Sequence, residues 1–568
     1  MNRAFLGGCL SIFVLACGGD DSSSPVDAGD SGSTDTSTEG STTDAGPVTP
    51  TVSSWIGTNV GADLPLVDVS AHCQPFNTAT PQKDANGYPL AGASGTSSTD
   101  LGFQLPTGTY KIAFEGAGTL AVSGIGKVTS AWTTVNGEQR ADLQITGTPG
   151  AFGNFLTLTI TNGANQTVQA IRVLLPGYAY DATPVFTKEL LALLRPFRAL
   201  RFMDWEGTNG NTAVDFTDRA LPAAFGASAF GPPLERIAEL VNVTGKDAWI
   251  TVPEHASDAY IQSLAQLMTK QLDFTRIDSA RKAQGLVTPF KLIVEDSNET
   301  WNGGFSANAT YLKAAKLDTT RYTGAYGGAY GPSWMTGNAD LMRVGQYHAD
   351  RLVKIAKAFT TAFGTIGKAD VVAPVLSGWA LGAANSDVGL RFIKDHYGDP
   401  KTLISYVAMA PYFGPEEAET TALPALFTSM TQNIASMDTT FQDFQKLVTE
   451  YGLAIVAYEG GQGISGNANL TVKHLAQHDQ RMYDAYGTFF NLWKKSFGQA
   501  LFMHFSLAGT PGVPELVFQY GFWGSIAGVM EDPAACAPNL PTLTGTETVA
   551  SVVHHCPKYR ALAEHVPQ

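Results

Sequence analysis

The sequence predicts an α/β fold, a parallel barrel of helix-wrapped strands joined to an antiparallel β-sandwich. Three observations predict it. From about residue 183 onward helical and strand periods alternate. Two apolar, β-branched runs about 160 residues apart each end in a glutamate. A separate region from about 52 to 176 is built of short alternating runs broken by Gly, Asn, Pro and Thr. With 568 residues, 44% apolar and 15% charged, the chain can supply a substantial core and leaves room for two domains.

Residues 1–17 read as an export signal. Arg3 is followed by an apolar run from Ala4 to Ala16, too short to span a bilayer but right for a signal h-region. The sequence Val14-Leu15-Ala16-Cys17-Gly18 resembles the lipobox of bacterial lipoproteins. That resemblance implies acylation of Cys17 and a lipid anchor in an envelope membrane, the outer membrane or cell surface, with ordinary secretion as the alternative. Residues 18–51, rich in Ser, Thr, Asp and Gly, bury too little apolar surface to order themselves and read as a flexible acidic tether. Net charge is −15; without the seven acids of the tether and Arg3, 44 acids face 35 bases, or −9. Such a surface does not suit nucleic acid or anionic lipid as a partner.

Export meets an oxidising space, so Cys536 and Cys556 are a candidate disulfide that would leave Cys73 unpaired. No Cys/His cluster has zinc spacing, so no metal or other cofactor is expected.

Residues 52–180 form the β-sandwich region, with runs such as Tyr110 to Phe114, Thr119 to Val122, Leu156 to Ile160 and Ala170 to Leu174. Residues 181–568 carry the alternating units. The predicted strands are Leu200 to Met203, Trp249 to Val252, Leu292 to Val294, Val371 to Val375, Tyr406 to Met409, Ala454 to Ala457 and Leu501 to Met503. Between them lie predicted helices over 186–194, 234–243, 260–272, 341–363, 388–396, a stretch ending at Tyr451, and 472–497. Seven strands need an eighth to close a barrel, and Ser54-Trp55-Ile56-Gly57-Thr58-Asn59 supplies it, near 54–60. The sandwich is then inserted after strand one or packs N-terminally beside a complete TIM (β/α)8 barrel. A doubly wound sheet is the alternative; no Gly-rich phosphate loop stands at a strand-helix turn to favour it.

On this numbering Glu299 follows strand four and Glu459 follows strand seven, at the mouth where barrel ligands bind. Two such carboxyl groups can cleave a glycosidic bond. Here the chain, over roughly 180 to 510, resembles clan A of the glycoside hydrolases. The carriers are Glu295 three residues before Asn298-Glu299 on strand four, Glu459 on strand seven, Arg201 on strand two and Tyr412 in Ala410-Pro411-Tyr412. Thr300 stands where many members have proline, Ala410 where several have histidine, and Trp523 stands in for a tryptophan directly after Met503. The segments Arg201 to Trp205 and Asn298 to Gly303 also resemble a group of bacterial proteins, some labelled cellulose-binding.

The resemblance implies a retaining mechanism on a β-linked polysaccharide or oligosaccharide, with Glu459 as nucleophile and Glu299 as acid/base. Tyr412 and Arg201 would keep Glu459 charged, and Asn298 would hold a sugar 2-hydroxyl. Asp204 is a candidate cleft residue or, alternatively, a buried ion-pair partner of Arg201, and Glu295 reads as an interior support. Trp205, Trp301, Trp334, Trp379 and Trp523 are candidate sugar-stacking faces, and His255 a hydrogen-bonding partner of sugar; each has a core role as its alternative. His504 reads as a core histidine. A non-catalytic carbohydrate-binding lipoprotein is the competing function.

Overall fold

A computed structural model describes residues 52–61, 66–78, 82–100, 106–146, 155–226, 228, 230–508, 522–526, 540–547 and 556–564. The signal, Cys17, the tether and Cys536 lie outside the described residues.

Eight parallel strands close a barrel in chain order. They are β1 (Ile56–Asn59), β2 (Ala199–Arg201), β3 (Asp247–Val252), β4 (Leu292–Asp296), β5 (Val372–Ser377), β6 (Tyr406–Met409), β7 (Ala454–Ala457) and β8 (Phe502–His504). Closure falls on the predicted first strand: Ile56, Gly57 and Thr58 pair with Phe502, Met503 and His504, while Thr58 and Asn59 pair with Leu200 and Arg201. The barrel strands are buried almost throughout, as parallel strands covered on both faces must be. Ala199, Trp249, Ile293, Val375, Val456 and Met503 fill the interior. Gly57 makes room there, since a Cβ on it would lie 2.3 Å from Met503 Sδ and 2.8 Å from the Ala199 carbonyl oxygen.

The helices pack an apolar face on the outside of this ring. The longest two, Ala339–Gly364 and Leu423–Tyr451, bury Leu352, Phe359 and Phe363, and Leu426, Phe444 and Leu447 respectively. Each such side chain contributes about 1.5–3 kcal/mol of burial. The stretch predicted as one helix over 472–497 is two, Leu470–Ala476 and Gln480–Phe497. The break has a cause: the Asp479 carboxylate accepts the Arg481 and Leu543 amides, capping the second helix and tying it to a distant segment.

Between β1 and β2 the chain forms two antiparallel sheets. One holds Ser94–Asp100, Phe155–Thr161 and Thr119–Gly124; the other Gly126–Val128, Glu138–Ile145, Gly108–Gly116 and Val168–Leu174, with Thr133–Val135 beside Glu138–Ile145. Leu156, Leu158 and Ile160 alternate inward with Thr157 and Thr159 and meet Ile112, Leu143 and Val173 in one core. Phe225, from the loop after β2, joins that core, stacked on Phe76 at 4.4 Å. Cys73 is a free, buried thiol, whereas Cys556 is disulfide-bonded.

Candidate active site

Arg201, the last residue of β2, is fully buried and organises the barrel mouth. Its Nε and Nη2 donate to Glu295 Oε2 at 3.0 and 2.8 Å, its Nη1 to Asn59 Oδ1 at 3.0 Å and Glu459 Oε2 at 3.2 Å, and its Nη2 to Asn298 Oδ1 at 2.8 Å. Burial works against the guanidinium charge, but Glu295 and Glu459 outweigh it and hold its pKa above the ordinary value. A buried cation with these partners is costly to disturb, because removing a carboxylate leaves its charge uncompensated and removing an amide leaves a buried donor unpaired. Glu295 also accepts from Trp249 Nε1 at 2.9 Å, so it is an interior support.

Glu299 leaves the end of β4 through a turn in which both Ser297 (φ 58°) and Glu299 (φ 40°) are left-handed, conformations costly for residues with a side chain and concentrated at functional sites. The strain aims its carboxyl at two donors: Tyr458 OH gives to Oε1 at 3.0 Å and Asn302 Nδ2 to Oε2 at 2.9 Å. Glu459 follows β7. Beyond the barrel rim, Tyr412–Phe413 and Gly461–Gln462 continue the pairing of β6 and β7. That extension sets Tyr412 beside Glu459, where its OH donates to Oε1 at 3.0 Å.

The two carboxyls lie near enough that each acts on the ionisation of the other. Burial raises the pKa of both; the charge of Glu299 raises Glu459 further, while Arg201 and Tyr412 oppose that. Both cannot ionise together in so dry a site, and the pair holds one proton between them. Arg201 bonds Glu459 directly and reaches Glu299 only through its field, so the anion belongs on Glu459 and the proton on Glu299.

Of the other predicted residues, Asn298 is 2% exposed and oriented between Arg201 and Asn209, to whose Oδ1 its Nδ2 donates at 3.2 Å. Asp204 is exposed and lies near enough to Glu459 to raise its pKa. Trp205 requires a correction as a ligand face: it is 1% exposed and packs edge-on against Phe202 in the barrel's outer core. His255 is exposed, with its Nε2 3.1 Å from Glu254 Oε1. Trp301 stacks on Trp379 at 4.8 Å, and Trp523 lies against Phe505 at 5.6 Å. His504 is buried on Tyr486, and burial pushes its pKa down to about 3, as befits a core histidine. Sequence reading missed Asn59, Tyr458, Asn302 and Asn209. The signal for the first two was their position at predicted strand ends; the other two sit in loops whose turns no period announces. Among the described residues no group of three or more His, Cys, Asp or Glu side chains could hold a metal ion.

No protein-family model matches the chain, and no curated protein matches it. Among solved structures it is similar to the CBM22-1–GH10 modules of the Clostridium thermocellum endo-1,4-β-D-xylanase 10B, at 13% identity over 91% of this chain and 96% of that one, with a TM-score of 0.36. It is similar to a modular endo-β-1,4-mannanase of glycoside hydrolase family 26 from Cellulomonas fimi (11% identity, 66% and 72% covered, TM-score 0.31). A GH5-4 broad specificity endoglucanase from Clostridium longisporum is a third (12% identity, 68% and 88%, TM-score 0.30). These neighbours are glycoside hydrolases of families 10, 26 and 5.

Proposed function

We propose that the protein is a retaining glycoside hydrolase acting on a β-linked polysaccharide or oligosaccharide, held to an envelope membrane through acylated Cys17. One observation carries the catalytic reading: Glu299 and Glu459 meet across the barrel mouth, with the cation on one and neutral donors on the other. Neighbouring carboxyls suit double displacement, whereas an inverting mechanism interposes a water and needs a separation of about 6.5–9.5 Å.

In the first step the Glu459 carboxylate attacks the anomeric carbon and forms a glycosyl ester, the bond from that carbon to the bridging oxygen breaks, and the Glu299 proton passes to the departing oxygen. In the second, Glu299, now ionised, takes a proton from water; the water oxygen displaces Glu459 from the anomeric carbon, and the free acid and carboxylate return. Asn298, pre-oriented by Arg201, is the partner for the sugar 2-hydroxyl.

Purified protein and its Glu459→Gln variant, assayed by reducing-end detection on mixed-linkage β-glucan, carboxymethylcellulose, xylan and galactomannan, test this. The wild type should release reducing ends from at least one polymer, and Glu459→Gln should lose turnover while still retarding that polymer in affinity electrophoresis. A polymer retained but cleaved by neither form would instead mark a carbohydrate-binding protein.

A further inference from the structure

We propose that Trp301, Trp379 and Trp334 form a ledge binding sugar units on the leaving-group side of the cleaved bond, so that the substrate is a chain continuing beyond that bond. The inference rests on the hydrolase reading of Glu299 and Glu459 and adds to it a direction and a minimum length.

The direction follows from covalent connectivity. A proton donor must sit at the bridging oxygen, so the surface next to the donor on its own loop borders the sugar that departs. Trp301 is two residues beyond Glu299, and Asn302, which follows it, bonds the Glu299 carboxyl. From there the ledge runs outward. The indoles of Trp301 and Trp379 lie 4.8 Å apart and 9° from parallel, and Trp334 meets Trp379 edge-on at 5.3 Å and 73°.

The ledge is fixed from below. Met335, Leu341, Met342, Ala384 and Val388 form a buried floor, and buried Asp387 accepts hydrogen bonds from Tyr326 and Tyr451 at 2.8 Å each, clamping the flanking loop. Its outer edge is nevertheless bare: Trp334 is 53% exposed and Leu381, in the adjoining loop after β5, is 60% exposed. A core indole would be covered; Trp334, half in water and set edge-on against the stacked pair that follows Glu299, presents a bare flat face. The axial C–H faces of a pyranose match such a face, which is apolar and carries the negative side of the ring quadrupole.

The test is Trp334→Ala, chosen because an exposed side chain can be removed without opening the core, with thermal unfolding to verify the fold. On the polymer that the wild type cleaves, kcat/KM divided by that on the 4-nitrophenyl glycoside of the same sugar should fall about ten-fold. In the Glu459→Gln background, retention of the polymer in affinity electrophoresis should fall in parallel. A ratio and a retention both within two-fold of the parent overturn the ledge and leave the hydrolase standing. A polymer retained through Trp334 but never cleaved overturns the hydrolase and leaves the ledge, and polymers neither retained nor cleaved overturn both.

Discussion

The proton shared by Glu299 and Glu459 makes the most direct residue-scale prediction. The proposed hydrolysis needs Glu459 ionised and Glu299 protonated, so rate should rise as pH climbs through the lower titration of the pair and fall as Glu299, raised by burial, finally loses its proton. Glu299→Ala should abolish the alkaline fall and cost 4-nitrophenyl glycosides far less than polymers, whose oxygen leaves poorly without a proton. Added azide should then yield a glycosyl azide of retained configuration; an inverted product would refute the double displacement. Thr300 makes a second. Its Oγ1 lies 2.6 Å from His348 Nδ1, pinning the left-handed turn that aims Glu299, and burial pushes His348 down to about 4, so the pin is neutral in the working range. Thr300→Val should lower kcat about ten-fold with KM little changed, most on poor leaving groups, and Thr300→Ser should restore it; equal loss on every leaving group would reduce the contact to mere stability. Glu299 and Glu459 were legible in sequence because each stands just past an apolar run, whereas Arg201, Tyr412 and Asn298 were singled out through the resemblance to clan A. Tyr458 and Asn302 were not, because what they touch depends on φ values at Ser297 and Glu299 that no hydrophobic period encodes.

At the scale of elements, apolar strands were read closely and polar ones less so. Strands β6 and β7 fall on their predicted residues because every position is apolar or aromatic, whereas β3 begins two residues early, at Asp247. A carboxylate reads as a boundary, yet this one is buried and satisfied by Arg198 Nε at 2.8 Å, Arg281 Nη1 at 2.9 Å and the Lys291 amide at 3.0 Å. The helix Phe274–Ala283 escaped for the opposite reason, since it buries only Ile277 and Arg281 and shows no apolar stripe. In β1, Gly57 passes close under Met503. Gly57→Ala places a methyl against both a sulfur and the Ala199 carbonyl oxygen, and a backbone oxygen cannot rotate away. The expected loss is about 1–3 kcal/mol of unfolding free energy. Urea titration checks it, and an unchanged midpoint would mean that β1 is not the seam on which closure depends.

For the molecule as a whole, the question is how the sandwich inserted between β1 and β2 is tied to the barrel. Phe225 does much of it: the residue is 6% exposed, stacks on Phe76 at 4.4 Å, meets Tyr88 at 5.4 Å and donates its amide to the Asn86 carbonyl at 2.9 Å, although its chain belongs to the loop after β2. Phe225→Ala should therefore remove about 3–5 kcal/mol from the sandwich and its attachment while leaving the barrel's own core intact. The two units would no longer melt together. Calorimetry should resolve a new transition at lower temperature for the sandwich, with the barrel transition retained, where the parent should show one cooperative event. Catalysis should fall less than about three-fold, because Arg201 is fixed by Glu295, Asn298 and Asn59 within the barrel and, among the described residues, by none of the sandwich. A single transition that moves down as one, with activity lost in proportion, would mean instead that the inserted sheets brace the pairing of Thr58 and Asn59 with Leu200 and Arg201, and that the barrel cannot hold its site without them.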